Sequence, residues 1–139
     1  MKLFRPKKLF DMDSFLPLGG EERVDMVYSG GDLSLDVFYE SESCADGLAK
    51  KNIRFLNAKY FFKAPFPGHS IFVCPEDGEI SLLNSLVEYE LSELLDIDGR
   101  TRGVADYRHY RLFLHSVGVA LHVIAKSVKI SNEGAGVKC

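Results

Sequence analysis

A mainly β domain, α+β at most, is the fold class this sequence predicts, and three observations carry the prediction. Residues 23–39 and 108–130 each read as two alternating apolar runs meeting at glycine, the short-range pattern of an antiparallel hairpin. Ten phenylalanines and six tyrosines, with no tryptophan, favour pleated and half-buried surfaces. A chain of 139 residues suits one core, burying roughly two-thirds of the surface its unfolded form exposes. The expected architecture is an antiparallel sheet, arranged as a sandwich or half-barrel of hairpins, with one short helix around residues 85–96. Residues 1–139 form a single domain in this reading.

The elements follow in order. Residues 1–10 carry Lys2, Arg5, Lys7 and Lys8 around Pro6 and predict a flexible basic N-terminal arm, anchored by Phe10, Phe15 and Leu16. Val24, Met26 and Tyr28 alternate, Ser29-Gly30-Gly31-Asp32 supplies a turn, and Leu33, Leu35, Val37 and Tyr39 alternate again. Residues 40–51 are polar and read as a loop. Residues 52–63 form the most aromatic strand, broken near Asn57 by a bulge or bend. The prolines of Ala64-Pro65-Phe66-Pro67-Gly68 interrupt any ladder, because each lacks a donor. Ile71 to Cys74 is a short run expected to be buried, and Glu76-Asp77-Gly78 a turn.

Residues 80–97 fit two patterns. Leu82, Leu83, Leu86, Val87, Leu91, Leu94 and Leu95 recur at helical spacing, while Val87, Tyr89 and Leu91 also alternate. The reading adopted is an extended start, then a helical turn capped by Ser92 and ending before Asp98-Gly99. A polar loop spans 98–107. In the hairpin that follows, a two-residue loop at Val117-Gly118 places Tyr110, Leu112, Leu114, Leu121, Val123 and Ala125 on one face. His109, Arg111, Phe113, His115, Ala120, His122, Ile124 and Lys126 then form a mixed face open to water or a partner. Residues 131–139 read as a frayed tail.

Charge is laid out in blocks. The net charge is −3, but it divides into +4 over residues 1–10, −9 over 11–48, +5 over 49–63, −8 over 64–99 and +5 over 100–139. Blocks of this kind steer charged partners unless the fold brings them together. No apolar run follows the basic start, which argues against a secretory signal, and none approaches the ~18 residues of a membrane span. Cys44, Cys74 and Cys139 are widely spaced and odd in number, which suits reduced thiols and a cytoplasmic location.

Candidate chemistry is sparse. His109, His115 and His122 share a face in the two-residue register, with Asp106 the nearest carboxylate, but no dense ligand motif accompanies them, so neither a metal nor a cofactor is expected. Cys74 sits in an apolar run that disfavours a thiolate, even with His69 nearby. The glycine pairs are too short to cradle phosphate, and neither nucleic acid nor membrane is an expected partner. Phe55, Tyr60, Phe61, Phe62 and Phe66 are either plain core or the lining of a small-ligand pocket. The remaining constellation is acidic: Glu88, Glu90, Glu93, Asp96 and Asp98, read as a patch that binds a protein partner with a basic cleft. Catalytic residues are not assigned.

The run Leu86-Val87-Glu88-Tyr89-Glu90-Leu91-Ser92-Glu93-Leu94-Leu95, followed by Arg108-His109-Tyr110-Arg111, Gly118 and Val123-Ile124-Ala125, resembles small β-rich bacterial proteins of uncharacterised type. Some proteins that look similar accompany polymorphic or contact-dependent toxins as immunity partners. The resemblance covers about residues 24–130 and implies a non-enzymatic, cytosolic protein that binds one toxin domain and blocks it. It carries over no functional residue. The alternatives are a metal-binding or enzymatic β-domain using the His109, His115 and His122 face, and a small-ligand-binding β-domain.

Overall fold

The computed structural model describes residues 1–44, 46–102 and 107–131. Among them, nine strands form two antiparallel sheets. The first sheet takes β1 (Leu3–Asp11), β6 (Ser85–Ser92), β7 (Arg108–Leu114), β8 (Val119–Ala125) and β5 (Tyr60–Pro65), in that spatial order. The second takes β2 (Arg23–Ser29), β3 (Asp32–Glu40), β4 (Leu48–Leu56) and β9 (Ser127–Ser131). Two helices join them, α1 (Ile80–Leu83) and α2 (Glu93–Arg102). The β-rich α+β class expected from the sequence is therefore the class observed.

Period-2 alternation places the core. On β3, Leu33, Leu35 and Val37 are fully buried and face the other sheet, where Tyr110, Leu112, Leu114, Leu121, Val123 and Ala125 meet them. The β2–β3 turn is the two-residue Gly30-Gly31, at φ 62° and 86°, a conformation that glycine adopts without steric cost. The chain changes sheets between β4 and β5, where Asn57 takes φ 52°, the Ala58 amide donates to the Gly31 carbonyl and the Lys59 amide to that of Ile124. It changes back between β8 and β9, where the Lys126 amide donates to the Leu56 carbonyl.

The first sheet is also covered on its outer face. Leu3, Phe72, Leu82, Val87, Tyr89, Leu94 and Ile124 form a second apolar cluster there, built from residues of the 66–84 segment, the sheet and α2. This layer corrects the expectation of a wet face: His109 and Arg111 are wholly buried and His122 is 3% exposed.

Several boundaries differ from expectation. Residues 1–10 do not form an arm, because β1 pairs along β6 as an edge strand; Pro6 is tolerated at such an edge. β4 begins at Leu48, inside the stretch read as a loop, because Lys50 and Lys51 pair with Phe38 and Val37. The helix placed around 85–96 divides, with 85–92 in β6 and helix only from Glu93. Ser92 Oγ does accept the Leu95 amide at 3.3 Å, as a cap should. The β7–β8 loop has four residues, 115–118, so Leu112 faces Leu121 rather than Val123. A shift of two residues leaves the face assignments within β7 and β8 intact, while His115 falls in the loop. In the 71–74 run only Phe72 is buried; Ile71 and Val73 are more than half exposed. Cys74 is the free cysteine among the described residues, whereas Cys44 is disulfide-bonded, which corrects the expectation of reduced thiols for that residue. The tail expected at 131–139 lies outside the described residues beyond Ser131, as does Asp106.

Candidate functional site

The acidic set does not stay together. Asp98 is buried, bonded to Lys59 Nζ at 2.5 Å and to the Tyr60 hydroxyl at 3.2 Å. Glu88 takes the Arg108 guanidinium at 2.9 Å and lies opposite Lys7 across the β1–β6 ladder. β1, which carries Arg5, Lys7 and Lys8, thus lies along β6, which carries Glu88 and Glu90, so the +4 and −8 blocks partly cancel. Glu90, Glu93 and Asp96 remain exposed and make no ion pair among the described residues; Glu93 and Asp96 also lie in the first turn of α2, where the helix dipole favours them. Beside them, Phe4 and Leu91, register partners, are 40% and 49% exposed, and Ile97 is 44% exposed. Exposed apolar and acidic side chains are thus both carried by β1, β6 and α2.

The histidines divide as well. His115 sits in the β7–β8 loop with Nε2 on the Leu83 carbonyl at 3.0 Å. His109 on β7 and His122 on β8 occupy diagonal positions on neighbouring strands and meet directly, Nε2 of His109 lying 2.9 Å from Nδ1 of His122. Nδ1 of His109 lies 2.7 Å from Ser92 Oγ. Burial holds His109 at a pKa of about 3; burial, then His109 and Arg111, hold His122 at about 3 as well. Both rings are neutral at pH 7.

With both rings neutral, the tautomers are assigned from the hydrogen-bond network. Ser92 Oγ already accepts the Leu95 amide, and its own proton has one acceptor in reach, His109 Nδ1. His109 then carries its proton on Nε2 and donates to His122 Nδ1, which leaves the His122 proton on Nε2. No protein group accepts it, and no buried side-chain nitrogen or oxygen among the described residues lacks a partner, so Nε2 keeps access to solvent. The opening is a cleft of about 530 Å³ lined by Phe66, Phe72, Cys74, Asp77, Phe113 and His122, among others.

A second polar unit adjoins the first. The Arg111 guanidinium, wholly buried, donates to Asp77 Oδ1 at 2.8 Å, to the Leu82 and Ser85 carbonyls at 3.0 and 3.2 Å, and to the Tyr89 hydroxyl at 3.4 Å. Tyr89 in turn donates to Asp77 Oδ2 at 2.5 Å, and burial, with Asp77 adding to it, pushes its pKa up. Arg111 lies 3.8 Å over the Phe113 ring, Phe66 stacks on Phe113 at 3.9 Å, and Phe72 stacks on His122 at 4.1 Å. Burial and Asp77 push the Cys74 thiol up to about 12, so its sulfur is a protonated donor to Glu76 rather than a nucleophile.

Chemically, the arrangement offers a fixed hydrogen-bond donor at the edge of an aromatic cleft. Among the described residues no three His, Cys, Asp or Glu side chains converge to hold a metal. The aromatic set also disperses: Phe55 packs on Tyr110 in the core, Phe62 on Phe72, Tyr60 and Phe61 are 37% and 43% exposed, and Phe66 alone of the five lines the cleft. Sequence reasoning missed Asp77, Tyr89 and Phe72; the signal available was the polar alternation His109, Arg111 opposite His122 in strands otherwise apolar. No protein-family model, curated protein or solved structure matches this chain. No helix among the described residues is long and apolar enough to cross a membrane.

Proposed function

We propose that this chain is a non-enzymatic protein-binding domain, that its docking face is the corner of β1, β6 and α2, and that it acts in the cytosol as an immunity partner of a bacterial toxin domain. One observation carries the reading: Phe4, Leu91 and Ile97 are exposed on the same elements as Glu90, Glu93 and Asp96, which are free of ion pairs among the described residues. Apolar anchors surrounded by charge are the anatomy of a protein interface. Of the acids expected to bind, Glu88 and Asp98 brace the corner through Arg108 and Lys59, and the other three meet basic groups of the partner.

The test is co-expression with the protein encoded immediately beside it, followed by size-exclusion chromatography. A stable complex, weakened at least tenfold by the combined charge reversal of Glu90, Glu93 and Asp96 to Lys, is the expected result. A complex that ignores the reversal places the docking face elsewhere. The absence of any complex removes the immunity role for that neighbour.

A further inference from the structure

We propose that the cleft between residues 65–78 and the β7–β8 hairpin is a binding site for a small, uncharged, planar aromatic molecule bearing a hydrogen-bond acceptor, held by the Nε2–H of His122. This goes beyond the protein-binding reading and uses a different set of residues.

Three observations meet there. The cleft, at about 530 Å³, lies in the range of small-molecule sites, and its lining includes Phe66, Phe72 and Phe113. Its one carboxylate, Asp77, is already bonded to Arg111 and Tyr89, and Cys74 is a neutral thiol, so a cationic ligand finds no unpaired counter-charge; His69 stands exposed in the same lining. His122 is 3% exposed, and yet its Nε2 has no protein acceptor. A donor so placed discriminates strongly, because a ligand without an acceptor displaces water from Nε2 and leaves the N–H unpaired.

The ring is also held in place before any ligand arrives. Phe72 stacks on it at 4.1 Å, and His109, itself fixed by Ser92, holds Nδ1 at 2.9 Å. The Ser92–His109–His122 chain therefore keeps the proton on the cleft side. An acceptor in the cleft lengthens that chain of aligned hydrogen bonds by one link.

The experiment titrates the full chain, labelled with ¹⁵N in its histidines, with benzamide, quinoline and toluene, following the imidazole nitrogens by long-range ¹H–¹⁵N correlation. Saturable shifts of His122 Nε2 with benzamide or quinoline, absent with toluene, are expected, together with an Nε2–H tautomer in the free protein. His122→Phe weakens benzamide binding at least tenfold and does not weaken that of toluene. If that variant fails to fold, the titration of the unmodified chain decides alone. Equal binding of toluene and benzamide with His122 Nε2 unmoved overturns the proposal, and so does the absence of saturable binding by benzamide and quinoline at millimolar concentration.

Discussion

The two faces of the β7–β8 hairpin are equally dry and chemically opposite. Towards the second sheet stand Tyr110, Leu112, Leu114, Leu121, Val123 and Ala125; on the other side stand His109, Arg111, Phe113, Ala120, His122 and Ile124. All are buried. The first face is stabilised by area removed from water, which is roughly additive and non-directional. The second is stabilised by hydrogen bonds that pair its polar groups with one another and with their cover, apart from His122 Nε2, which opens to the cleft. Burial in this fold therefore does not mean apolar composition. The two faces should fail in different ways.

The largest contrast comes from placing the same side chain on each face. Arg111→Met leaves Asp77, the Tyr89 hydroxyl and two carbonyls without their donor, and should cost about 3–5 kcal/mol by urea denaturation, the range for breaking a buried pair. Adding Asp77→Leu should recover part of that loss, since it removes the orphaned charge. Asp77→Leu alone closes the cycle, and a double variant whose loss equals the sum of the two single losses would show that the pair is uncoupled.

Acid should reach the polar face through its histidines. His109 and His122 titrate near pH 3 in the folded chain and near 6.5 when unfolded, so the unfolded state binds the additional protons as pH falls. The stability they contribute is present above pH 6.5 and is lost on the way down to pH 3, on the order of 3 kcal/mol of it between pH 6.5 and 5. Denaturation midpoints measured across that window check the sign and size. A slope that persists unchanged in a folded variant lacking both imidazoles would assign it to carboxylates instead.

Smaller effects sharpen the same contrast. Leu112→Met, a volume-conserving change on the apolar face, should cost less than about 1.5 kcal/mol by the same assay. Arg108→Ala, which breaks the largely exposed pair with Glu88, should cost no more than about 1 kcal/mol, and added salt should erase most of it.

The apolar face was legible because alternation is a local signal, and the error in loop length was a shift of two, which keeps parity. The polar face's burial was not legible. Its cover is the 66–84 segment, which has neither period and reaches Arg111 through Asp77, 34 residues away. His109 and His122 were singled out on parity, but the two-residue-loop register, two residues out, hid the contact between them. The charge blocks misled for a related reason. Lys7 meets Glu88 only because β1 docks on β6, and a stretch with Pro6 among lysines carries no strand period to announce that. Glu90, Glu93 and Asp96 were legible as exposed acids, while the apolar residues among them gained meaning only from the Phe4–Leu91 register.

The sheet order also bears on how the chain is made. Leu3 pairs with Ser92, and Asn52 pairs with Ser131, so strands from early in synthesis wait for partners from late in it. Until β6 emerges, β1 has no neighbour, and β4 keeps one bare edge until β9 follows. Such non-local pairing slows folding, because loop closure precedes its reward. On the ribosome the β2–β3–β4 meander, joined by short connections, is the part able to form first. The rest of the molecule assembles onto it once the strands up to β9 have followed, in a step that a holdase chaperone would delay and a truncation before Ser127 would leave unfinished.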